Sequence, residues 1–206
     1  MLLNKIKYNA IAGHLNFAIT SLIVFVTTPF LVNFLGAYSF GVWKSIQKIL
    51  TFASIADGRS SQALKWVVAN DEANTNETIK KQAIGSAIKV WLWFLPIMLL
   101  VIALLVWNLP ALINELEESM YAAVYTVGLI LGANFLIYPL LAIPDAVLVG
   151  TNNGYKSISV QTISMVLSNC AMVLVSYLGC GIIGLACVVV FITIINGGFV
   201  FYICKK

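Results

Sequence analysis

Charge is what this sequence has least of. Lys and Arg number 12 and Asp and Glu 8 among 206 residues, so 10% of the chain is charged and 61% is hydrophobic. Soluble domains carry about 25% charged and 45–50% apolar residues. A soluble globule is excluded, because too few polar residues remain to cover its surface. A single histidine, His14, excludes a histidine cluster for metal. The four cysteines, Cys170, Cys180, Cys187 and Cys204, contain no CxxC pair and sit in or beside apolar stretches. They read as small packing residues rather than as a metal site or a disulfide framework. No Ser-His-Asp set, P-loop or Gly-rich phosphate cradle is present, so neither a chemical enzyme nor a bound cofactor is expected. The net charge of +4 is modest and gives no reason to expect nucleic acid as a partner.

Long apolar runs are abundant. The mean hydropathy is +0.96, and about 20 apolar residues suffice to cross a bilayer as a helix. Cutting the chain where charges, Gly and Pro cluster gives six spans, at about 15–35, 40–56, 87–107, 121–149, 157–177 and 182–204. The first run is too long for a signal-peptide core and lacks a small-residue cleavage site. The second holds Lys44 and Lys48. The fourth is interrupted by Pro139 and Pro144. No charge occurs from 157 to 204, which suits two spans hinged at Gly179-Cys180-Gly181. The expected fold class is therefore all-α: an integral membrane bundle of six transmembrane helices, embedded in the lipid bilayer.

The bases test this layout. Lys5 and Lys7 precede the first span, Arg59, Lys65, Lys80 and Lys81 follow the second, Lys156 follows the fourth, and Lys205 and Lys206 follow the sixth. The intervening loops hold none, and one holds Glu115, Glu117 and Glu118. Bases in every other loop predict a multi-pass protein with both termini cytoplasmic. The one long polar stretch, 58–83, reads as a cytoplasmic loop. Residues 60–68 within it read as a surface amphipathic helix with Leu64, Val67 and Val68 toward lipid. Trp43, Trp66, Trp91, Trp93 and Trp107 lie near span ends, as an interfacial belt requires.

Ionisable groups within spans are costly and usually face a cavity or a partner. Lys44 and Lys48 are four apart and share a helix face, with Gln47 beside them. They read either as the lining of a water-filled cavity that attracts a phosphate-bearing substrate, or as snorkelling side chains. Asp57 and Arg59 read either as a gate at the cytoplasmic end of the second span or as an ordinary polar helix end. Asp145, just after Pro144, needs Lys48 or Lys89 as partner if it is within the bilayer; otherwise it lies at headgroup level. Lys89 marks the start of the third span. Asn16, Asn33, Asn134, Gln161, Asn169 and Asn196 read as interhelical hydrogen-bonding residues.

Thr28-Pro29-Phe30-Leu31-Val32-Asn33-Phe34-Leu35-Gly36, followed by Phe40-Gly41-Val42-Trp43, resembles the first two spans of the polysaccharide flippases. Asp57, Ala63-Leu64 and Lys65 resemble that family's exit from span two, with the glycine directly after the Asp. Residues 144–150 with Asn153-Gly154-Tyr155, and the Gly-rich 179–186, resemble its span-four exit and its turn into span six. The resemblance covers nearly the whole chain. It implies one lobe, the N-terminal half, of the about twelve-span fold of the multidrug/oligosaccharidyl-lipid/polysaccharide exporter superfamily, in the bacterial inner membrane. The implied activity is flipping of polyprenyl-pyrophosphate-linked oligosaccharide, such as O-antigen units, through a cationic cavity to which Lys44 and Lys48 would contribute. With six spans, the chain would act as a fragment or as a half transporter that pairs with itself or a second lobe. Two other readings stay open. A drug or cation exporter of the same superfamily would need acidic cavity residues, and only Asp57 and Asp145 lie near spans. A non-transporting scaffold or accessory subunit would need no cavity at all.

Overall fold

The computed structural model describes residues 2–53, 58–71 and 77–205. Among them the chain is helical throughout, without strands. The helices are α1 (Leu2–Leu35), α2 (Ala37–Thr51), α3 (Ser60–Asp71), α4 (Glu77–Leu112), α5 (Tyr121–Leu141), α6 (Ile143–Gly150), α7 (Gly154–Tyr177) and α8 (Gly181–Lys205). Five stretches are long and apolar enough to cross a membrane: α1, α4, α5 taken with α6, α7 and α8. The chain thus has the make-up of a multi-pass membrane protein.

Each break has a local cause. Gly36 takes φ +82 between α1 and α2, and Gly179 and Gly181 take φ +74 and +61 between α7 and α8, a region open to glycine and strained for other residues. α5 and α6 part at Ala142, between Pro139 and Pro144, where proline removes a donor from the helical ladder. α2 has 15 residues, so at 1.5 Å per residue it covers about 22 Å. The last residues of the expected second span, 54–56, lie outside the described residues.

α1 and α7 pack in parallel. Asn9 meets Asn152 and Tyr155, Asn16 meets Thr162, Thr20 meets Met165, and Thr27 meets Asn169. Phe34 stacks edge-on against Tyr177. α4 and α5 run antiparallel and close: a Cβ on Gly132 would come within 2.6 Å of Ile102, and one on Gly128 within 2.5 Å of Leu109. α2 packs against α1, α4, α5 and α8, and its Trp43, Ile46 and Leu50 are fully buried with Val124, Val127 and Leu185.

The chain reversals sort to two ends. At one end the Tyr38 hydroxyl donates to the Glu115 carbonyl (3.3 Å) and accepts from the Glu117 N–H (2.7 Å). Phe34, Ser39, Met120, Gly179 and Ile182 line a common hollow there. At the other end Asn9 joins the α6–α7 turn, and Val68 of α3 packs on Gly150.

Three expectations are corrected here. The stretch 58–83 is helical in α3 and from Glu77 onward, not a loop with one short helix; residues 72–76 lie outside the described residues. Leu64 and Val68 are 2% and 1% exposed against Ile143, Ala146 and Ala87. They face protein, and only Val67 of that set faces out. An amphipathic pattern gives the apolar side of a helix but not whether lipid or another helix covers it. Trp43 is 1% exposed in the core, whereas Trp66, Trp93 and Trp107 are exposed. Trp91 is half-buried and donates its Nε1–H to the Leu136 carbonyl (3.1 Å).

Candidate functional site

Polar side chains within the long helices are not scattered. On α7, Gln161, Ser164, Ser168 and Asn169 repeat at helical spacing, and so face one way. Thr193 and Asn196 do the same on α8, and the adjacent Thr27 and Thr28 add two hydroxyls from α1. Together with Lys44 and Gln47 of α2 they line one cleft of about 320 Å³. Apolar neighbours on the same stripes, such as Leu31, Met165 and Val189, complete the walls. Ser164 Oγ donates to Asn196 Oδ1 (3.3 Å), and Thr27 Oγ1 lies 3.1 Å from Asn169 Oδ1. The larger hollow between α4 and α5, about 600 Å³, is lined by Leu99, Ile102, Val106, Leu129 and other apolar groups. Trp107 and Tyr125 are its only polar-tipped side chains among the described residues, so the smaller cleft, rich in hydroxyls and amides, is the candidate site.

The cleft continues into a crevice of about 140 Å³, and Tyr138, Gln161, Thr193 and Asn196 line both. The crevice ends on Asp145. One Asp145 oxygen accepts from Gln161 Nε2–H at 3.1 Å, and the other lies 3.4 Å from Lys65 Nζ. Asp145 stands in the first turn of α6, where the helix dipole favours a carboxylate.

The candidate residues separate in space. Lys44 and Gln47 line the cleft. The Lys44 ammonium sits 5.5 Å above the Phe40 ring, a distance suited to cation–π attraction. No carboxylate among the described residues lines the cleft itself. Lys48, although one turn from Lys44, is exposed and does not line it. Lys48 or Lys89 was the expected partner of Asp145 for a place within the bilayer; the residue it pairs with is Lys65. Lys89 is exposed on α4 and has no ion-pair partner among the described residues. Asp57 lies outside the described residues, and Arg59 is exposed at φ +47. Asn16, Gln161, Asn169 and Asn196 make the interhelical contacts given above, whereas Asn33 is exposed. Ser164, Ser168, Thr27 and Thr193 were passed over at the level of sequence. For Ser164 and Ser168, their i+3 and i+7 spacing from Gln161 was the available signal.

The chain matches no protein-family model, no curated protein and no solved structure.

Proposed function

We propose that the chain is one six-crossing lobe of a lipid-linked oligosaccharide flippase, and that the α1/α2/α7/α8 cleft is its share of the cargo cavity. The observation that carries this reading is that polar groups from three long helices line one cleft together with Lys44. In a chain that is 61% hydrophobic, such a surface is costly against lipid and suits a hydrated cavity. A lysine there without a neutralising carboxylate favours an anionic cargo, and a pyrophosphate-linked sugar supplies both the anion and the hydroxyls for the Ser, Thr, Asn and Gln groups. The cation-exporter alternative has less behind it, because the one carboxylate reached from the cleft already holds Lys65.

The parallel pairing of α1 and α7 supports six crossings. Helices that cross in the same direction have an odd number of crossings between them, so α2 is counted as a crossing beside α4 and α5 with α6; α7 is then the fifth crossing and α8 the sixth. Glu115, Glu117 and Glu118 lie at one end and Lys5, Lys7, Lys65 and Lys156 at the other, which favours a cytoplasmic basic end.

The test is surface polysaccharide in a bacterium lacking its O-antigen flippase, with matched biosynthesis genes, that expresses this chain. Polymer is expected with the wild-type chain and with Lys48→Ala. Lys44→Ala is expected to lower it about ten-fold or more, the effect of losing one charge-assisted contact. No polymer from a well-inserted wild-type chain overturns export by this chain alone. Normal export by Lys44→Ala overturns the cavity assignment.

A further inference from the structure

At the basic end of the bundle α3 and α4 leave a hollow of about 200 Å³ between them. Leu64 is buried in its wall, Ala63, Val67 and Val90 are exposed around it, and Ser60 and Ser86 add hydroxyls. Ser60 Oγ is buried, and it is the one buried side-chain polar atom among the described residues without a hydrogen-bond partner. Such an atom costs free energy until a partner reaches it. Ser60 also opens α3, a helix of 12 residues, and a helix start favours negative charge.

The depth of the hollow limits what can fill it. With the outer boundary of α4 between the exposed Trp107 and Leu112, a hydrocarbon layer of about 30 Å covers about 20 residues and ends at about residues 87–92. A Cβ on Gly58 would come within 2.7 Å of the Phe94 ring, so α3 starts at the same level. Ser60 and Val90 therefore stand at the edge of the hydrocarbon, where lipid ester oxygens lie, and Ser86 stands one turn further out, toward the phosphates. Trp66 follows Ala63 by three residues, Lys89 follows Ser86 and Trp93 follows Val90, so each is a helix-surface neighbour of the rim. Trp66 and Trp93 are exposed, as interfacial anchors are. Lys89 is exposed and has no ion-pair partner among the described residues. Arg59, also exposed, precedes Ala63 by four residues, and no carboxylate among the described residues lines the hollow. Basic hollows between helices at the cytoplasmic surface suit anionic headgroups. At about 30 Å³ per water, this one admits the glycerol and phosphate of a lipid, whose chains have the bilayer beside them.

We infer that the hollow between α3 and α4 seats the headgroup of one anionic glycerophospholipid, its phosphate at Ser86 and Lys89 and a glycerol or ester oxygen accepting from the Ser60 hydroxyl. A lipid without net charge leaves Lys89 unmatched, and a protein partner has to strip Trp66 and Trp93 of lipid first. The seated headgroup bridges α3 and α4. The inference rests on α4 crossing the bilayer and not on export, and lipid retention is measurable without any transport.

The experiment places the purified full chain in nanodiscs of phosphatidylcholine and phosphatidylglycerol in equal parts and counts the lipids retained on release by native mass spectrometry. The wild-type chain is expected to keep phosphatidylglycerol in preference to phosphatidylcholine. Lys89→Gln is expected to lower that preference about five-fold, the weight of one base near an anionic headgroup. Ala63→Leu puts a good helix former at an exposed position, fills the mouth of the hollow and is expected to abolish the preference, with α3 hydrogen exchange in phosphatidylcholine alone showing that the fold is kept. Lys89→Gln, a surface change, carries the test should Ala63→Leu loosen α3. Lys81→Gln removes the same charge five residues before Ser86 and round the helix, and is expected to leave the preference unchanged. The inference is overturned if the wild type shows no preference, if Lys81→Gln loses as much as Lys89→Gln, or if a folded Ala63→Leu chain keeps the preference. Displacement of the lipid by inorganic phosphate also overturns it, by assigning the hollow to a soluble anion.

Discussion

The two sides of the bundle are held together differently. On one side α2, α4, α5 and α8 bury an apolar cluster around Trp43, Leu50, Leu109 and Val127, and the glycines 128 and 132 let α4 and α5 approach closely. On the other side α1 and α7 meet through a ladder of amides and hydroxyls, and the buried residues of α7 are Gly154, Ser157 and Ser176. Hydrocarbon solvates an apolar helix face as well as another helix does, so close fit, not hydrophobicity, distinguishes the first contact. Polar contacts set register on the second side and individually contribute little. The tight side is therefore read as the scaffold and the polar side as the part that can part, hydrate or rearrange.

Substitutions sharpen this contrast through equilibrium unfolding in mixed micelles. Trp43→Ala removes the largest side chain of the tight cluster and is expected to cost about 3–5 kcal/mol. Gly132→Val drives a side chain into Ile102 and is expected to cost about 1–3 kcal/mol. Thr27→Val, which breaks one rung of the ladder, is expected to cost about 0.6 kcal/mol. Lys44→Ala, at the mouth of the cleft, is expected to stay within about 0.5 kcal/mol of the wild type while export falls. If Thr27→Val destabilises as much as Gly132→Val, the two sides do not differ in kind. If Lys44→Ala unfolds the chain, its lysine belongs to the scaffold and the cleft reading fails.

Much of the helical layout was legible, because apolar length, glycine pairs and prolines act locally. The break at Ala142 sits between the two prolines that signalled it, and the Gly179–Gly181 hinge is where α7 ends and α8 begins. Facing across helices was not legible. Lys44 and Lys48 share a helix face by spacing, yet only Lys44 reaches the cleft, because which part of that face a neighbour covers is set by packing. Asp145 was matched to lysines of the spans only for a place within the bilayer, and otherwise read as lying at headgroup level; its partner came from α3, a segment read as lying on the membrane. The polar stripe of α7 was in plain sequence, and reading its asparagine and glutamine singly, without the serines between them, hid it.

The parallel pairing of α1 with α7 sets a schedule for synthesis. Asn9 waits for Asn152, 143 positions later. At about 5–20 residues per second, the first helix is made roughly 7–30 seconds before its partner. During that interval the amides and hydroxyls of α1 have no α7 to bond. A nascent chain stalled before residue 150 therefore holds a polar-faced helix that an insertase or a neighbouring protein must shelter.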